Sequence, residues 1–248
     1  MLVQGSVCIV TGGGAGLGLG TARVLREGGA KVAVFDLRPP PDDALASGIV
    51  HHRVDITDET AVQAAIDAVI AEFGALHVCV NCAGIVQSKP LLGPDGPFPI
   101  ALFRRTVDVN LTGTFIVMSL AAAAMARNAG QGADGERGVI VNTASIAAFD
   151  ASSNVAYAAS KGGVVSLNLS SARQLAEYGI RINAIAPGYM DTEMLGSLPP
   201  EWVTRLLSTT VYPKRLGAPA EFGRLVCQIV ETPFLNAATI RFDGGARV

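Results

Sequence analysis

Tyr157 stands four residues before Lys161 in the stretch NVAYAASKGG, residues 154–163. On a helix, positions i and i+4 share a face. The two side chains then point the same way, with only Ala158, Ala159 and Ser160 between them. A phenol beside an ammonium is a candidate general base with a tuning cation. Free tyrosine titrates near ~10, and bringing it near 7 takes ~3 units, roughly 4 kcal/mol of preference for the phenolate. A nearby cation supplies part of that preference where water is excluded. Ser145, upstream of Tyr157 at the end of an apolar run, adds a hydroxyl suited to an oxygen on which charge develops.

A second constellation opens the chain. VTGGGAGLG places Gly12, Gly16 and Gly18, with Leu17 between, where an apolar run meets a helical pattern. A tight turn, close backbone approach and a helix N-terminus suit a pyrophosphate. Asp36 ends the next apolar run, near the spacing of a carboxylate that binds adenosine ribose hydroxyls. A carboxylate there repels a 2′-phosphate, so NAD is favoured over NADP, and Ala15 adds no cation to the turn. Arg38, two residues on, is within reach of such a phosphate.

These residues need rigid elements to hold them. Apolar runs at 6–11, 31–36, 48–55, 76–81, 138–145, 180–187 and 238–243 read as strands, several of them continuous in Val and Ile. That pattern suits strands covered on both faces. Helical patterns lie at 16–28, 59–73, 101–128, 155–178 and 219–231. Gly28-Gly29 and Gly74 suit helix ends, and Thr57 or Asp58 suits an N-cap. Strand–helix alternation predicts one α/β domain over 1–248, a doubly wound parallel sheet of about seven strands with helices on both faces. The Pro/Gly-rich stretch 88–99 reads as a loop. The long stretch 188–218 follows a strand's C-terminal end, where ligands bind in such sheets, and is a lid candidate.

Composition narrows the classes. Half of the 248 residues are hydrophobic and 16% are charged, so a large core is available. The net charge of −2 and the lack of a basic run give no footprint for nucleic acid. No apolar run reaches the ~18 residues of a membrane span, and the glycine-broken N-terminus does not read as a signal peptide. A cytoplasmic chain is therefore expected. Cys79 and Cys82 match C-x-x-C but sit on a buried strand running into a turn, where residues three apart face opposite ways. They read as packing, with Cys8 and Cys227. His51, His52 and His77 form no ligand set, so no metal is expected.

Taken in order, TGGGAGLG, the DIT of Asp55, Ile56 and Thr57, the NCAG of Asn81 to Gly84, Asn110 in VDVNLTGTF, Ser145 in NTAS, YAASK and the Pro187-Gly188 pair resemble the short-chain dehydrogenase/reductase family nearly end to end. The resemblance implies a Rossmann-type fold and hydride transfer between a secondary alcohol and a nicotinamide. It gives Asn110, Ser145, Tyr157 and Lys161 as the catalytic set. Asn110 would kink its helix and hold a proton-relay water, and Lys161 would bridge to the ribose. Asp55 would hold the adenine amino group, with Ile56 beside it. Asn81, Ala83 and Gly84 would line the cofactor, and Pro187, Gly188 and Thr192 would meet the nicotinamide end. Cys82 departs from the pattern, since many relatives carry a second Asn there.

Within the family, the C-terminal half resembles NAD-dependent homotetramers that oxidise the 3-hydroxyl of acyl-CoA thioesters, some of which accept steroids or simple alcohols. That implies an acyl-CoA substrate and subunit contacts through paired long helices and the C-terminal strand. The apolar circumference of 111–127 agrees with a buried helix. In the lid stretch, Met190, Met194, Leu195, Leu198, Trp202, Leu206 and Leu207 suit either an acyl chain or an ordinary helix core. Lys89, Arg205, Lys214 and Arg215 are candidate partners for CoA phosphates. Three rivals stay open: a dehydrogenase of another secondary alcohol, an NADPH-dependent 3-oxoacyl carrier-protein reductase, and a non-catalytic dinucleotide-binding scaffold.

Overall fold

The computed structural model describes residues 1–94, 96–150, 152–196 and 199–247. Seven parallel strands form the main sheet: β1 (Val7–Thr11), β2 (Lys31–Asp36), β3 (Val50–Arg53), β4 (Val78–Asn81), β7 (Gly138–Thr143), β8 (Ile180–Pro187) and β9 (Thr239–Phe242). Their spatial order is β3-β2-β1-β4-β7-β8-β9. The order reverses at β1, where Thr11 registers with Phe35 on one side and Asn81 on the other. A crevice opens at such a switch point, outside the strands' carboxyl ends.

The pleat sends alternate residues into two cores. Ile9, Phe35, Cys79, Ile140 and Ile182 pack with α3 (Glu59–Phe73) and α5 (Thr114–Met125). Cys8, Val10, Val34, Val80 and Val141 pack with α1 (Gly16–Glu27) and α9 (Pro219–Glu231). Cys79 thus belongs to one layer and Cys82 packs against the other. Burial pushes the Cys8 and Cys79 thiols well up, and Cys82 up to about 11. Asp58 caps α3 by accepting from the Ala61 N–H, and Gly74 closes it in the left-handed region at φ 91°.

Several boundaries differ from the periodic reading. The single helix expected over 101–128 is α4 (Ile100–Val107), a wider π turn (Asp108–Gly113) and α5. The whole run Ile100–Met125 is long and apolar enough to cross a membrane by length and composition alone. Here Val117, Met118, Ala121 and Met125 pack it into the core instead. The expected 155–178 helix is α6 (Val155–Leu175) followed by one 3₁₀ turn (Ala176–Tyr178). The 88–99 loop carries a two-strand hairpin, β5 (Leu92–Gly93) and β6 (Gly96–Pro97). A short α2 (Asp42–Ala46) follows the Pro-rich 39–41 stretch. The stretch 188–218, the lid candidate, holds α7 (Glu193–Gly196) and α8 (Pro200–Ser208).

Candidate active site

A cavity of about 980 Å³ lies over the carboxyl ends of β1, β2, β4, β7 and β8. Its floor begins at the glycine turn. A Cβ on Gly18 would overlap the Gly12 carbonyl, and one on Gly12 would sit 2.8 Å from the Ala83 backbone. Only glycine lets the turn fold this tightly and leaves its surface open. Thr11, ending β1, pins the next turn, since its Oγ1 accepts from the Cys82 and Ala83 N–H groups at 3.1 Å each. Gly12, Gly16, Leu17, Gly18, Ala83 and Gly84 all line the cavity.

Asp36 closes one end. Its Oδ2 accepts from the Gly14 N–H at 2.9 Å and its Oδ1 from the Arg38 N–H at 3.0 Å. The carboxylate is thereby fixed at the cavity wall beside the glycine turn. Asp55 and Ile56 line the same end. Thr57 donates to Asp55 Oδ1 from its N–H and hydroxyl, which holds that carboxyl below its ordinary range.

Ser145, Tyr157 and Lys161 meet at the other end, and Pro187, Gly188 and Thr192 line the cavity too. Ser145 sits past β7, where its Oγ accepts from the Ala147 N–H at 3.1 Å. Tyr157 and Lys161 share one face of α6, with the ammonium 5.8 Å from the phenol's ring centroid. Lys161 is 3% exposed and donates to the Thr143 carbonyl at 2.6 Å. Burial lowers its pKa to about 8. Burial likewise raises the Tyr157 phenol, against the pull of a hydrogen bond with Ser145. The lowered phenol expected from the sequence is thus not a property of the pair alone. A dry site penalises both charged forms, and the lysine's cation is held by a backbone carbonyl.

Two sequence-predicted residues do not reach the wall. Asn81 is 3% exposed and lies within the sheet, where its Nδ2 donates to Asn142 Oδ1 at 2.9 Å. It braces β4 against β7 rather than lining the cofactor end. Asn110 is fully buried in the π turn. Its Oδ1 accepts from the Ile85 N–H at 2.8 Å, and its Nδ2 donates to the Ile85 carbonyl and to Ser160 Oγ. It therefore ties the turn after β4 to α6, behind the reacting groups.

The lid places Met190, Met194, Leu195, Trp202 and Leu206 at the cavity, while Leu207 is not at the wall and Leu198 lies outside the described residues. The cations proposed for CoA fare differently. None of Lys89, Arg205, Lys214 and Arg215 lines the cavity. Arg215 is engaged by Glu221 through two bonds of 2.8 Å, and Arg205 lies 5.8 Å from the Trp202 ring. The cavity's arginines are Arg38, 3.4 Å from Glu193, and Arg105. The sequence carries no spacing that singles out Arg105, or Asp150, which also lines the cavity. Among the described residues no cluster could hold a metal.

The donor set fits a nicotinamide dinucleotide. A turn too tight for a Cβ at Gly12 or Gly18, a fixed carboxylate and a buried lysine sit in one cavity large enough for a cofactor and a second molecule. Comparison with known proteins agrees. The short chain dehydrogenase family model matches residues 6–201. The chain is 45% identical to human 3-hydroxyacyl-CoA dehydrogenase type-2 over 99% of this chain and 97% of that one. It is 41% identical to the Drosophila melanogaster protein of that name, over 100% and 99%. The crystal structure of 3-hydroxyacyl-CoA dehydrogenase type-2 from Mycobacterium avium superposes with a TM-score of 0.91 at 35% identity, covering 98% of this chain and 96% of that one. With the glycine turn, the Ser145–Tyr157–Lys161 cluster and full-length similarity all in agreement, the chain belongs to the short-chain dehydrogenase family.

Proposed function

We propose that the chain is an NAD-dependent dehydrogenase that oxidises 3-hydroxyacyl-CoA to 3-oxoacyl-CoA and works as a cytoplasmic homotetramer. The observation that carries the reaction is the meeting of Ser145, Tyr157 and Lys161 at one end of a cavity whose other end holds Asp36. When bound, the oxidised nicotinamide would supply a hydride acceptor and a positive charge. The chain's own groups handle the proton. Tyr157 takes it from the substrate hydroxyl at its phenolic oxygen as the carbon loses its hydride. The Ser145 hydroxyl holds the same substrate oxygen while carbonyl character develops. Lys161 keeps a cation beside the phenolate, and the Thr143 carbonyl fixes that cation in place. Asn110 acts from behind by holding α6 against the turn at Ile85.

The acyl-CoA assignment is supported by the names of the full-length relatives and by the apolar lid side chains at the wall. NAD rather than NADP is supported by Asp36, a carboxylate fixed at the cavity wall beside the glycine turn, which would repel a 2′-phosphate there. Assembly is supported by exposed Phe103, Phe115 and Leu169 on the α4–α6 side, and by Val211, Tyr212 and Phe234 near the C-terminal strand. The test of the reaction is Tyr157→Phe. Turnover of 3-hydroxybutyryl-CoA is expected to fall at least about a thousandfold with NADH affinity nearly unchanged, as for loss of a general base together with its proton path. Wild-type kcat in that variant would refute the assignment.

A further inference from the structure

We infer that Arg241 is a positioning residue for this reaction, acting through Asp150 to fix the substrate-side wall of the cavity; the inference rests on the dehydrogenase reading above. Arg241 lies on β9, away from the cofactor motifs. Its Nη1 and Nη2 donate to the two carboxylate oxygens of Asp150 at 3.0 and 2.8 Å. Its Nε donates to Asp243 Oδ2 at 2.8 Å, and Nη2 also reaches the Ala246 carbonyl at 2.8 Å. The guanidinium lies 5.7 Å from the Phe149 ring centroid.

Both carboxylates touch the working part of the site. Asp150 lines the cavity and follows the 3₁₀ turn (Ile146–Ala148) that Ser145 caps, in the connection from Ser145 to Tyr157. Asp243 packs on Gly188 so closely that a Cβ there would come within 2.8 Å of the Asp243 Cβ. One planar cation thus joins Asp150, in the connection after Ser145, to Asp243, which packs on Gly188. The Asp150 and Asp243 side chains are 13% and 7% exposed, so these are shielded, charge-assisted bonds rather than surface pairs. A two-pronged grip on one carboxylate with a third bond to another uses the rigid fork of arginine, which a lysine does not reproduce.

Arg241→Ala, Arg241→Lys, Asp150→Asn and the Arg241→Ala/Asp150→Asn pair test this. In Arg241→Ala, kcat/KM for 3-hydroxybutyryl-CoA, counted per NADH-binding site, is expected to fall about tenfold or more, with NADH Kd within about threefold. Arg241→Lys is expected to restore little, and the double variant to be no worse than the poorer single, as for residues in one interaction. Amide exchange over 146–150 is expected to speed about tenfold in Arg241→Ala and in Asp150→Asn while the central sheet keeps its protection. Unchanged exchange over 146–150, additive losses in the double variant, or wild-type kcat/KM in the folded Arg241→Ala would each overturn the proposal. If the wild type fails to oxidise the thioester, the substrate reading falls, and the exchange result still decides the role of Arg241. If Arg241→Ala does not fold, Asp150→Asn carries the same comparison.

Discussion

Lys161→Met separates what the site costs the fold from what it does for the reaction. Burial lowers the Lys161 pKa from 10.5 to about 8. Below pH 8 the folded state must hold an ammonium in a dry site, and that penalty is present in full. As pH rises from 8 towards 10.5, the folded lysine gives up its proton before the unfolded one does, so the penalty is relieved. With those two values, the penalty is about 3 kcal/mol at pH 7, about 2 at pH 9 and about 1 at pH 10. Methionine matches the stem but carries no charge, and it also loses the bond to the Thr143 carbonyl. That loss is a constant offset of about 1–3 kcal/mol. The pH dependence of the difference therefore isolates the buried charge. Urea unfolding without cofactor, at pH 7, 9 and 10 and one protomer concentration, reads it. Wild type is expected to gain about 2 kcal/mol on Lys161→Met between pH 7 and pH 10. A flat difference across that range would refute the claim that Lys161 sits desolvated and charged.

Asp36→Asn keeps the acceptor for Gly14 but removes the charge. The NAD-over-NADP ratio of kcat/KM is expected to fall about tenfold, some 1.4 kcal/mol, and an unchanged ratio would place cofactor choice elsewhere. Light scattering of the purified protein is expected to give about four subunits' mass under the proposed assembly, which would cover exposed Phe115, Leu169 and Phe234. A mass near the single chain's 25.5 kDa would contradict that assembly.

The elements that carry the site were legible because their physics leaves local marks. Strands buried on both faces read as unbroken Val/Ile runs, and β1, β7 and β8 emerged within two residues of their expected bounds. The glycine turn, Asp36 and the Tyr157–Lys161 spacing each express a constraint over a few residues, so sequence order preserves them. Other features leave no such mark. The π turn over Asp108–Gly113 sits inside an unbroken apolar pattern that reads as one helix. Asn81 was assigned to the cofactor, but its side chain enters the sheet to meet Asn142, a contact between residues 61 positions apart. Arg105 and Asp150 come to the cavity, and Arg241 to Asp150, only through tertiary packing. The cations suggested for CoA carry no such mark either: exposed charges follow no period, and Arg215 is paired with Glu221.

The most direct test of the central claim is the initial rate of acetoacetyl-CoA reduction by the wild type, with NADH and NADPH at equal concentration. Rapid turnover with NADH and little with NADPH is the result that the proposed function predicts. A preference for NADPH, or tight NADH binding with no turnover of the thioester, would contradict it.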